Sequence, residues 1–215
     1  MEYWFHGDKM QVNKNYDQID NLTKLFDRLE KFPPGFIGYK RLVDAIRSRH
    51  YPFTFCKIVP GKIISEDDEK IIAKEIVSVK GGYDLRFSFE FFCRWCSLQM
   101  IKKKEFPELI LAAIKESMPL ERAIAIGELH NLFENATEEL EKSIYGVVYY
   151  SYLYLNHMEY RCWCNPLKKR EYVEEKICVK ILDYVEKVTE LLDDETFTMD
   201  IVTKKLEKLF DMFML

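Results

Sequence analysis

Apolar side chains recur along this chain at two spacings, and the change from one to the other divides it. Across residues 83–215 they return every three or four positions, the period of a helix with one buried face. Phe87, Phe91, Trp95, Leu98 and Ile101 make the first such series, with Asp84 placed to cap it. Pro107 and Pro119 stand where the next two helices should begin, in a first turn where a missing N–H does no harm. The second of these covers residues 120–134. Thr137 starts a further helix through Ile144 and a run of tyrosines towards Met158, and Asn165-Pro166 breaks the pattern. Helices over residues 169–192 and 199–213 complete this part.

Residues 1–82 have a different texture. Ile19, Leu22, Leu25, Phe26 and Leu29 keep helical spacing until Pro33-Pro34-Gly35 stops them. Tyr39, Leu42, Val43 and Ile46 predict a short second helix. Residues 51–59 are β-branched and aromatic, and Pro60-Gly61 offers a turn from which residues 62–64 can pair back as a hairpin. Residues 3–5 and 10–12, on either side of Gly7-Asp8, are a second candidate hairpin. Ser65 and Asp68 resemble a helix start, with Ile71, Ile72, Ile76 and Val77 following and Gly81-Gly82 as the stop. The whole reads as mainly α: a helical bundle over residues 83–215 with a smaller mixed N-terminal part, residues 1–82, containing one or two β-hairpins. One continuous domain is the alternative division.

Composition narrows the function classes. The 215 residues carry a formal net charge of -4, and no basic stripe is visible. Nucleic-acid binders draw most of their affinity from phosphate neutralisation, so the charge balance argues against such a partner. The longest apolar stretch, residues 144–155, is shorter than the roughly 20 residues a membrane helix needs. The N-terminal residues lack a basic segment followed by an apolar one, so a cytoplasmic protein with its six cysteines reduced is expected. Phe (15) and Tyr (13) each outnumber Gly (8) and Pro (7), the bias that AT-rich codons produce in viruses, phages and some bacteria.

Four sets of residues invite a chemical reading. Cys93 and Cys96 fall on one face of a predicted helix, and Cys162 and Cys164 lie near a helix break; four thiolates would suit tetrahedral zinc. Cysteine is also one of the most buried residue types, and core packing is the favoured reading, with no cofactor expected and zinc as the alternative. Arg122, His130 and Glu134 offer a polarising cation, an imidazole and a carboxylate, which a helical nuclease or a metal-dependent hydrolase would bring to one site. His130, Glu134 and Glu138 share a face only if one helix runs through all of them, and Thr137 is expected to interrupt it. Glycine-rich phosphate loops and nucleophile-elbow motifs are absent from the sequence.

The aromatic sets point elsewhere. Tyr150 and Tyr154, within a helix apolar nearly all round, and Phe210, Met212 and Phe213 at the C-terminus carry more apolar surface than one stripe requires. Tyr, Trp and Met are enriched at protein interfaces. The favoured function is therefore a non-catalytic protein–protein interaction module, in keeping with a viral or mobile-element modulator of a host pathway. Homo-oligomerisation through the C-terminal helix is a further expectation. The enzyme and the zinc-stabilised module are the alternatives.

Overall fold

The long ribbon of residues 54–84 governs the N-terminal unit of the computed structural model, which describes residues 3–6, 36–48, 54–74, 76–116, 119–159 and 167–213. Strand β3 (Thr54–Pro60) pairs antiparallel with β6 (Ile76–Asp84), from Thr54 opposite Asp84 to Pro60 opposite Ile76. Beyond Pro60 the ribbon continues as β4 (Ile63–Glu66) against β5 (Lys70–Ala73), with Ile63 opposite Ala73 and Lys74 N donating to the Lys62 carbonyl at 2.7 Å. It reverses at Asp67, whose Oδ1 accepts from the N–H groups of Glu69 (2.9 Å) and Lys70 (2.8 Å).

Strands β1 (Tyr3–His6) and β2 (Phe36–Tyr39) complete a six-stranded sheet in the order β4-β5-β2-β1-β3-β6, all pairs antiparallel. In that order β3 and β4 stand four strand spacings apart, about 19 Å at the usual strand separation. Only Gly61 and Lys62 join them, a reach of about 10 Å. The sheet must therefore curl strongly, and register shifts at Phe55/Cys56, Val59/Pro60 and Ile63/Ser65 mark where it bends. Helix α1 (Leu42–Arg47) lies against β1 and β2. Its Leu42, Val43, Ala45 and Ile46 are buried, as are Trp4, Phe55, Ile58 and Ile71 of the strands. Asp44, also buried, is held by a bidentate pair with Arg41 at 2.7 and 2.8 Å.

Two sequence expectations are corrected here. The helix expected after Ser65 is instead β5 and β6: Ser65 lies within β4 rather than capping a helix, Asp67 closes the hairpin turn, and the β-branched Ile71, Ile72, Ile76 and Val77 suit a pleated surface. Gly81-Gly82 does not end a helix but lies within β6, beside the irregularity opposite Phe55 and Cys56. Likewise residues 63–64 pair with β5, not with β3. The expected helix at residues 19–29 and the strand at residues 10–12 lie outside the described residues.

Residues 86–212 form the second unit, and it is helical. Its elements are α2 (Leu85–Met100), α3 (Glu108–Glu116), α4 (Pro119–Asn135), α5 (Glu139–Glu159), α6 (Leu167–Leu191) and α7 (Met199–Met212). From α3 onward each helix packs on the next. The start signals are local. The Pro107 carbonyl accepts from Ile110 and Leu111 (3.0 and 3.1 Å), and the Thr198 carbonyl from Val202 (3.0 Å), which places both residues at helix N-caps.

Helices α5 and α6 approach closely at Gly146. An added Cβ there would stand 2.8 Å from Cγ of Tyr184. Helix α2 meets the rest of the unit through rings, Phe89 edge-on to Tyr154 (centroids 5.2 Å) and Trp95 against Phe197 (5.9 Å). None of the helices among the described residues is long and apolar enough to cross a membrane.

The connection before α7 is fastened by Asp194. Its carboxylate pairs with the Lys103 ammonium and accepts from Thr196 N (2.7 Å) and Oγ1 (2.6 Å). Lys103 first and Thr196 second hold the Asp194 pKa down at about 2, against the ordinary 3.8. Because the folded value lies below the unfolded one, the stabilisation is present above about pH 4 and is lost as pH falls towards 2. Asp194→Asn is therefore expected to lower the urea midpoint at neutral pH and to match the parent at about pH 2. A gap that persists unchanged down the acid titration would refute the assignment.

Candidate functional site

Helix α4 presents His130, Phe133 and Glu134 on one side, since residues three and four apart share a helical face. Facing them, α5 contributes the adjacent pair Tyr149 and Tyr150, and α6 contributes Tyr184. The rings form one continuous cluster. His130 stacks on Tyr149 (5.3 Å, 16°), and Phe133 lies nearly parallel to Tyr149 (5.8 Å, 18°). Tyr150 stacks on Tyr184 (5.5 Å, 14°), and Phe133 stands edge-on to Tyr150 and Tyr184 (5.9 and 5.5 Å). Phe133 is buried at the centre, the three tyrosines are partly exposed, and His130 and Glu134 are exposed.

The electrostatics of the cluster follow from this placement. Partial burial raises the pKa of all three tyrosines, and the Glu134 carboxylate pushes each further in the same direction. Tyr184 also feels Asp183, and Tyr150 feels its two tyrosine neighbours. The phenols therefore stay neutral at physiological pH, as hydroxyl donors at the rim of an aromatic surface. One cation is already in place: the Lys142 ammonium lies 5.2 Å from the Phe133 centroid.

A separate, open cleft of about 380 Å³ lies on another side of α4, lined by Glu128, Asn131, Leu132, Asn135, Ala136, Glu141 and Tyr145. Its polar groups are largely satisfied within the protein. Glu141 pairs with Lys104 (2.9 Å) and accepts from Tyr145 (3.1 Å), and Asn135 donates to the Asn131 carbonyl (2.8 Å). The Lys104 hydrogen bond is the main reason the Glu141 carboxyl sits below the usual range.

The residues singled out from sequence are distributed as follows. His130 and Glu134 share α4, but neither lines the cleft, and Glu138 falls in the connection after α4 ends at Asn135. The Arg122 side chain is outside the described residues. Cys93 and Cys96 are fully buried, and that burial pushes both thiols well above their ordinary pKa. Cys162 and Cys164 lie outside the described residues, among which no group of three or more His, Cys, Asp or Glu side chains converges.

Of the aromatic set, Tyr150 joins the surface cluster. Tyr154 and Phe210 are interior residues, 0% and 1% exposed, and are not available at the surface. Met212 and Phe213 are exposed at 60% and 43%. Phe133 and Tyr184 belong to the cluster and were not singled out from sequence; Tyr149 belongs to the run of tyrosines from which interface anchors were expected. No known family, curated protein or solved structure matches this chain.

Proposed function

We propose that this chain is a non-catalytic interaction module that binds another protein through the aromatic surface of α4, α5 and α6. The observation carrying this reading is the cluster itself: Tyr149, Tyr150 and Tyr184 are locked against Phe133 and His130 yet keep part of each ring exposed. Rings held by their neighbours lose little conformational freedom on binding, which is what makes tyrosine an effective interface anchor. Met212, exposed at the end of α7, extends the same property to the C-terminus, where self-association is the corresponding proposal. In this reading the protein works in a reducing cytoplasm, and its aromatic-rich composition accords with a viral or mobile-element modulator of a host pathway.

Photo-crosslinking tests the reading. A benzophenone side chain in place of Tyr150 should capture a protein species that the same label at exposed Lys204 does not. The purified species should then bind Tyr150→Ala at least about tenfold more weakly than the parent, the loss of a typical aromatic anchor. Equal capture at both positions, or unchanged affinity, would overturn it.

A further inference from the structure

We infer that the occupant of this surface is an arginine-bearing segment of the partner protein, its guanidinium laid on the tyrosine rings and paired with Glu134. This rests on the interaction reading above and adds the chemical class of what binds. The packed ring cluster, with the Lys142 ammonium already 5.2 Å from the Phe133 centroid, carries the inference, and the carboxylates beside it support it. Glu134 is exposed and bears on the phenols of Tyr149, Tyr150 and Tyr184, and Asp183 bears on Tyr184. Two lysines near the cluster are already engaged, Lys142 over Phe133 (5.2 Å) and Lys187 with Glu139 (3.7 Å). A surface of aromatic rings and neutral phenols with an exposed carboxylate beside them favours a cation over phosphate or an acidic peptide.

Shape then selects among cations. The rings pack at 5.0–5.9 Å from one another, leaving no enclosed cage for a quaternary ammonium. A planar guanidinium stacks on an aromatic ring while keeping its N–H fork free for a carboxylate. Lysine, a compact and strongly hydrated charge, gains less there. Lys142 over Phe133 shows that the cluster accepts a cation on a ring face.

The test is an NMR titration of the full chain, labelled at tyrosine rings, with three synthetic peptides alike except for arginine, lysine or the uncharged isostere citrulline. The arginine peptide should shift the Tyr149, Tyr150 and Tyr184 signals and bind at least about tenfold more tightly than the citrulline peptide, with lysine between. Glu134→Gln should weaken the arginine peptide about fivefold or more, whereas Glu190→Gln, at an exposed position further along α6, should leave it unchanged. Equal binding of arginine and citrulline peptides, shifts that avoid the ring signals, or equal effects of the two substitutions would overturn the inference. If crosslinking at position 150 captures a partner that the arginine peptide does not displace, the interaction reading stands and the cationic class falls. If the arginine peptide binds at the rings while crosslinking captures nothing, the surface is a guanidinium site without a protein partner, and the inference falls as stated.

Discussion

Replacing Tyr154 by alanine is expected to lower the unfolding free energy by about 3–5 kcal/mol, the usual cost of deleting a buried aromatic ring. The ring is fully buried, lies edge-on to Phe89 at 5.2 Å, and its hydroxyl donates to the Arg86 carbonyl at 3.2 Å. Alanine removes the contact that holds α2 to α5 and leaves a cavity between them. Tyr154→Phe keeps the ring and deletes only the hydroxyl, so about 1 kcal/mol should be lost. Urea unfolding followed by far-ultraviolet circular dichroism measures both. A Tyr154→Ala cost below about 1 kcal/mol would contradict the interior position of the ring. The same pair of variants separates core from surface, because Tyr154→Phe should leave partner capture at position 150 intact.

Two glycines of the helical unit should respond to alanine with opposite signs. At Gly146 the new methyl would meet Tyr184 at Cγ, Cδ1 and Cδ2, 2.8–2.9 Å away. Those atoms are the root of the ring, so relief requires α5 and α6 to separate. Overpacking of this kind costs about 1–3 kcal/mol, against about 1 kcal/mol of helix propensity gained. A net loss of up to about 2 kcal/mol is expected. Tyr184 also stacks on Tyr150, so the displaced ring should alter the tyrosine signals of the docking surface as well. Gly127 is exposed in α4 with no atom within 4 Å of the added Cβ, and alanine there should stabilise by up to about 1 kcal/mol. Shifts of the same sign in both variants would show that the α5–α6 approach is not as close as described.

Tyr150 and Tyr154 show where sequence reasoning stops. They stand four apart on α5, so periodicity puts them on one face and assigns them one role. Tyr154 is sealed by Phe89 of α2, whereas Tyr150 meets Phe133 and Tyr184 and remains partly exposed. The helix is the same; the neighbours differ. Cys93 and Cys96 were readable as one helical face, and the structure adds that this face is buried. Phe133 and Tyr184 had no local signal, because their importance lies in meeting Tyr150 from two other helices.

The stretch after Ser65 was misread for a related reason. Ile71, Ile72, Ile76 and Val77 fit a helical stripe by spacing, and Ser65 with Asp68 fitted a helix start. Their fate depended on Ile71 and Ala73 finding a buried side and on β2 being present to pair with β5. Neither condition is written in residues 65–82.

From the sequence by itself came the helices of the second unit and their limits, because spacing, prolines and capping residues act within a few positions of the chain. The tertiary structure alone decided the curled sheet and which aromatic rings reach the surface. Strand pairing and burial are set by residues distant along the chain, and a ring becomes core or contact surface only when its neighbours are in place.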